Sequence, residues 1–144
     1  MSDQIAQQRE QVEQHIRLEN QHDWDAVHKT FAAGAPTWFD MVPFGARLDG
    51  PAGIATAYHL LSTALPDVAI EVLTQYDIPG CSIRELMITG THTGDWCGIP
   101  GSGRRVQFQL ACFFEFGTGA AQGQLIAERV YFNNETLIKQ MRGE

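Results

Sequence analysis

Basic residues are scarce in this chain. Ten Lys and Arg stand against 17 Asp and Glu, leaving a formal net charge of −7. A nucleic-acid binder shows a basic patch or stripe, and the densest basic stretch here is the pair Arg104-Arg105, so nucleic acid is not an expected partner. The same deficit makes an anionic membrane surface unattractive. No apolar run approaches the roughly 20 residues of a membrane span. The polar opening Met1-Ser2-Asp3-Gln4 lacks the apolar centre of a secretory signal, and the expectation is a cytoplasmic location. Cysteine is also sparse: Cys81, Cys97 and Cys112 are far apart, odd in number and without a CxxC pair, which argues against a disulfide framework or a zinc site. Cys112 lies in an apolar run and reads as a small core residue.

Several catalytic signatures are missing too. No Gly-x-Ser-x-Gly elbow exists, so a serine hydrolase is unsupported. Gly98, Gly101 and Gly103 lie between two strand patterns and open no helix, unlike a dinucleotide loop. His22 and His28, with Asp23 and Asp25 between them, do not have HExxH spacing, and no metal is expected.

What is present is an ordinary globular composition, 44% apolar and 19% charged over 144 residues, which suits one domain, residues 1–144. Residues 3–20 read as a helix with Ile5, Val12 and Ile16 on one face. Asp23 is placed to cap a second helix carrying Trp24, Val27, His28 and Phe31, ended by Gly34 and Pro36. Residues 37–42 read as a short strand, followed by a loop with Pro43, Gly45 and Gly50. Pro51 opens a third helix whose apolar seam is Ile54, Tyr58, Leu61 and Leu65.

From Val68 onward the period changes to two. Strands are predicted from Val68, over residues 83–93, from Val106 to Phe116, and around Ile126 to Phe132, with a short helix at residues 135–142. Helices first and strands afterwards predict an α+β domain, with helices on one face of a mostly antiparallel curved sheet.

One segment is more specific: Gly90-Thr91-His92-Thr93-Gly94, continuing through Gly98-Ile99-Pro100 and Gly103-Arg104-Arg105-Val106. It resembles the GTHxG…GIPxxG(K/R)xV signature of the SnoaL-like polyketide cyclases, a branch of the NTF2-like superfamily. Leu65-Pro66-Asp67-Val68, Asp49-Gly50-Pro51-Ala52-Gly53-Ile54 and Leu137-Ile138-Lys139-Gln140-Met141 resemble further family landmarks, in the family's order. The resemblance covers the chain from about residue 8. It implies an NTF2-like cone with a deep apolar cavity, a homodimer, and ring closure of a polyketide by aldol addition without metal or cofactor. It also implies an acid/base Asp near the end of the last strand. Here that stretch runs Glu128-Arg129-Val130-Tyr131-Phe132-Asn133. Asn133 and Val130 occupy the two places where the family carries Asp, and neither side chain can take up a proton near neutral pH.

Removing a proton beside a ketone requires a positioned base and a donor for the enolate oxygen. Glu128 alternates with Ile126, Val130 and Phe132, and burial of that face would raise its basicity; the alternative is a strand-edge carboxylate paired with an arginine. His92 continues the Leu86, Ile88, Gly90 face and can transfer a proton near pH 7, or else it braces the loop that follows. Asn133 is a neutral donor for a substrate oxygen. The candidate catalytic set is therefore His92, Glu128 and Asn133. Trp38, Asp40, Trp96 and Tyr131 are the candidate substrate-binding residues. Two functions remain open: a cofactor-independent enzyme acting on a hydrophobic, carbonyl-bearing small molecule by cyclisation, isomerisation or dehydration, or a non-catalytic module that binds such a molecule.

Overall fold

The computed structural model describes residues 2–144. Helix α1 (Ser2–Asn20) and the short α2 (Trp24–His28) come first. They are followed by β1 (Trp38–Met41), β2 (Ala46–Asp49), α3 (Gly50–Ala64), β3 (Ala69–Ile78), β4 (Cys81–Thr91), β5 (Arg105–Phe116), β6 (Leu125–Phe132) and α4 (Asn134–Arg142). The six strands form one curved sheet in the order β2-β1-β6-β5-β4-β3. Only the β1–β6 pair is parallel; the others are antiparallel. The α+β architecture expected from the sequence is the architecture found, with the helices packed across the inner face.

Helix α1 buries Gln8, Val12, His15, Ile16 and Glu19. These positions recur every three or four residues and form one stripe. Polar latches fix the helix to the sheet at both ends. The Gln8 amide donates to the Ile78 carbonyl at 3.0 Å and accepts from the Gly80 N–H at 2.8 Å. Asn20 donates to the Ile70 carbonyl at 3.0 Å and accepts from the Ile70 N–H at 2.7 Å. The stripe between the latches, including His15 and Glu19, is thereby held over the sheet.

Three details differ from the sequence pattern. Helix α2 ends at His28: Phe31 forms a parallel bridge to Leu125, and the Ala32 N–H donates to the Leu125 carbonyl at 2.8 Å. Residues 46–49, read as loop, are strand β2 because they pair with β1. In β6 the pairing slips between Glu115 and Phe116, which oppose Ala127 and Leu125. Ile126 is the extra residue of a bulge, and a bulge reverses the side-chain alternation beyond it. Leu125 is therefore buried beside Phe116, while Ile126 does not share the face of Glu128. No helix among the described residues is long and apolar enough to cross a membrane.

The segment between β4 and β5 is tied down. The His92 N–H donates to the Arg104 carbonyl at 2.8 Å, and the Gly103 N–H donates back to His92 at the same distance. Thr93 N–H reaches the Ala64 carbonyl at 2.9 Å, at the end of α3. A Cβ at Gly94 would overlap the Thr63 carbonyl, and one at Gly101 would overlap the Thr93 carbonyl. Both neighbours are backbone and cannot rotate away. Gly101→Ala should therefore destabilise the fold by about 1–3 kcal/mol, the usual cost of overpacking. An unchanged urea midpoint would contradict this packing.

Candidate functional site

The inner face of the sheet, α1 and α3 enclose a cavity of about 70 Å³, which is room for a few water molecules. Phe39 and Met41 of β1, Leu86 and Ile88 of β4, Phe108 and Phe114 of β5, and Val130 and Phe132 of β6 supply much of the apolar wall. Trp96 lines one end and packs against Phe132 and Phe44, with ring centroids 6.3 and 5.9 Å apart. The Trp96 indole N–H is held by Asn134 at 2.9 Å. Phe44 is partly exposed outside this pair.

The polar residues that reach the cavity are Glu19 from α1, Tyr58 from α3, Cys112 from β5 and Glu128 from β6. Glu128 is 3% exposed. The Tyr58 hydroxyl donates to its Oε1, His15 Nε2 lies 2.7 Å from the same oxygen, and the Cys112 thiol donates to Oε2 at 3.4 Å. Glu128 thus accepts from three sides, as a carboxylate does.

His15 is oriented from behind. Its Nδ1 lies 2.7 Å from the Thr30 hydroxyl, whose own proton goes to the Val27 carbonyl, also at 2.7 Å. Thr30 can therefore only accept, and Nδ1 carries a hydrogen. Nε2 is left facing Glu128, the Tyr58 hydroxyl at 2.9 Å and Glu19 at 3.6 Å. Because Tyr58 donates to Glu128, Nε2–H is the consistent donor, and the ring is an imidazolium.

Burial works against charge on this ring, but attraction to Glu19 and Glu128 and the hydrogen bond to Glu128 outweigh it, so the His15 pKa is raised. Burial pushes Glu19 from 4.5 up to about 8; His15 opposes the rise and Glu128 adds to it. The cluster thus joins a carboxyl that burial makes a weaker acid, Glu19, to an imidazole whose cationic form its carboxyl neighbours favour, His15. Burial, with Glu128 next, likewise drives the Tyr58 hydroxyl and the Cys112 thiol well above their ordinary values. His15, Glu19 and Glu128 also form a group of metal-ligand types, with donor atoms within 4.8 Å of one another. The protein's own hydrogen bonds already occupy His15 and Glu128.

Of the residues singled out from sequence, Glu128 and Trp96 line the cavity. His92 is fully buried on the predicted side of its strand, but it sits past the sheet's end, where its Nδ1 meets the Ser102 hydroxyl at 2.9 Å. Asn133 caps α4, accepting from the Thr136 N–H at 3.1 Å. Trp38 and Asp40 alternate with the inward Phe39 and Met41, so they face away from the cavity. The Arg47 guanidinium lies 4.1 Å from the centre of the Trp38 ring. Tyr131 is exposed and packs on Phe113. The structure therefore does not bring His92, Asn133, Trp38, Asp40 or Tyr131 together with Glu128.

The sequence reading missed His15, Glu19 and Tyr58 as functional groups. For His15 and Glu19 a faint signal is present: residues 12, 15, 16 and 19 form one helical stripe, and two of these four are His and Glu; Tyr58 carries none.

Comparison with known proteins places this geometry. The family model described as SnoaL-like polyketide cyclase matches residues 9–141. No curated protein matches the sequence. Among solved structures, a candidate SnoaL-like polyketide cyclase from Jannaschia sp. CCS1 is 18% identical, covering 96% of this chain and 94% of that one, with a TM-score of 0.80. An LEH-like epoxide hydrolase from M. tuberculosis is 18% identical over 96% of this chain and 92% of its own, with a TM-score of 0.70. A Catenulispora acidiphila protein with a ketosteroid isomerase-like fold, in complex with trimethylamine, is 14% identical over 81% and 80%, with a TM-score of 0.63. At such identities the likeness establishes the fold, which is NTF2-like.

The raised Glu19 and His15 values have a consequence for stability. A group whose pKa rises on folding stabilises most below its unfolded value and loses that contribution as pH rises through the folded one. For Glu19 this window runs from 4.5 to about 8, and His15 acts in the same direction. Wild-type stability should therefore fall between about pH 5 and pH 9, and Glu19→Gln should flatten the fall by removing the titrating proton. Thermal denaturation at the two pH values checks this; parallel slopes in both proteins would contradict it.

Proposed function

Because the chain belongs to the SnoaL-like polyketide cyclase family, and a cyclase-type function comes with that membership, we propose that it is a cofactor-independent acid/base enzyme whose base is Glu128. The observation that carries this reading is the Glu128 carboxylate, buried at a mostly apolar cavity with one oxygen shared by Tyr58 and His15. A carboxylate in such a place keeps its orientation and is shielded from bulk water, as proton abstraction beside a ketone requires.

The substrate class follows from the wall. No Lys or Arg lines the cavity to hold an anion, and most of its wall is apolar. The molecule admitted is therefore neutral, largely apolar and carbonyl-bearing. The cavity is smaller than such a molecule, so its wall must yield on binding, and Trp96, packed on Phe132 and Phe44, is the lining side chain that comes from neither helix nor strand and is the one we expect to move. The bond made is a carbon–carbon bond within one molecule: the carbon that loses its proton to Glu128 attacks a second carbonyl. The places of the family's Asp hold Val130 and Asn133 here, and Glu128, two residues before Val130 on the same strand, is the carboxylate that the strand presents to the cavity.

The test uses 2-tetralone, a neutral aromatic ketone, in D2O. The wild type should accelerate exchange of its α-protons. Glu128→Gln preserves size while removing basicity, and it should slow exchange by about 10²–10⁴, the usual worth of a positioned base, with the circular dichroism spectrum unchanged. Equal rates in the two proteins, or bound 2-tetralone that does not exchange faster than in buffer, would leave a passive binding pocket as the better account.

A further inference from the structure

We infer that Glu19 is the proton donor paired with Glu128, and that His15 passes the proton back between the two carboxyl groups. The inference rests on the reading of Glu128 as base and assigns the other half of the chemistry. Three observations carry it. First, Glu19 is 6% exposed and lines the cavity, where its carboxyl meets the Tyr58 hydroxyl and lies 3.6 Å from His15 Nε2, so a substrate oxygen held in the cavity comes within its reach. Second, Glu19 and Glu128 reach the cavity from different elements, α1 and β6, so they can address two atoms of one substrate. Third, His15 Nε2 lies between them, 2.7 Å from one carboxyl group and 3.6 Å from the other, while Thr30 holds Nδ1 out of the exchange.

The proton balance closes. The Glu128 carboxylate removes a proton from the carbon beside a ketone, and the C–H electron pair becomes the enolate double bond. The enolate carbon forms a bond to the second carbonyl carbon, and the π pair of that carbonyl moves onto its oxygen. Glu19 gives this oxygen its proton, yielding a hydroxyl group. Glu128 is then protonated and Glu19 ionised. His15 gives its Nε2 proton to Glu19 and takes the proton from Glu128, which restores the starting state without any co-reactant. The groups facing Glu19 are His15 on its own helix, Tyr58 from α3 and Glu128 from β6, with Cys112 of β5 also coupled to it. Of these, only His15 is cationic. The raised Glu19 value of about 8 agrees with a donor that is loaded at neutral pH.

Two measurements test this. In the first, 13C NMR of protein labelled at the Glu side-chain carboxyls reads Glu19 directly, assigned by its loss in Glu19→Gln. Glu19 should be protonated near neutral pH and ionise at about 8. Glu19 already ionised at neutral pH would overturn the inference whether or not turnover is seen. In the second, the 2-tetralone exchange rate is followed across pH. The wild type should lose activity above about 8. 2-Tetralone has no second carbonyl, so its own oxygen takes the place beside Glu19 and receives the proton as the enolate forms; Glu19→Gln should therefore slow the exchange by about 10²–10⁴ and lack that alkaline limb. His15→Gln should move the limb to higher pH, because the cation that favours ionised Glu19 is gone. Exchange abolished by Glu128→Gln, with the alkaline limb intact in Glu19→Gln, would overturn this inference and leave the base in place. Exchange unaffected by Glu128→Gln would overturn the reading of the base itself.

Discussion

A carboxylate inside an apolar interior constrains everything around it. Glu128 is tolerated there because Tyr58, His15 and Cys112 all donate to it. Each donor comes from a different element, α3, α1 and β5. The cluster therefore sets how α1 and α3 lie on the sheet, and the Gln8 and Asn20 latches hold α1 at the height the cluster needs. Replacing a buried ion pair by well-packed apolar residues is often neutral or stabilising by about 1–4 kcal/mol. Stability alone is thus a poor reason for this arrangement, and a chemical role is the stronger one.

The same constraint separates the functional interior from the structural parts of the family signature. The Gly94 to Gly103 segment carries the resemblance most clearly, yet its glycines are required by backbone contacts with Thr63 and Thr93. His92 braces the segment through Ser102. Trp96 is where the segment meets the cavity, packed against Phe132 and Phe44. The signature thus builds the turn that carries Trp96 to the cavity, and the proposed acid/base groups lie elsewhere, on α1 and β6.

The α+β order was legible because the apolar period changes from helical to two at Val68. Glu128 was legible for the same reason, as a charge on an apolar strand face. The face of Asp40 and Trp38 was not, because β1 has only four residues and both of its faces contain aromatics. The β6 bulge was invisible too: Ile126 continues the alternation in sequence, and the slip appears only against β5. His15 and Glu19 lay in a helix whose other positions are mostly polar, so a polar pair on its buried stripe looked like surface. Tyr58 fitted an apolar seam without any sign that its hydroxyl reached a carboxylate 70 residues away. Residues brought together only by the docking of helices on the sheet leave little local signal of their meeting, and most of this site is of that kind.

The central claim is that the cavity under α1 and α3 receives a neutral ketone between Glu19 and Glu128. A crystal structure of the protein soaked with 2-tetralone tests this most directly. The account predicts density inside the cavity, the ketone oxygen within hydrogen-bonding distance of Glu19, the α-carbon against the Glu128 carboxylate, and Trp96 displaced from its present packing. Tetralone bound only outside, with the cavity unchanged and Trp96 in place, would contradict it.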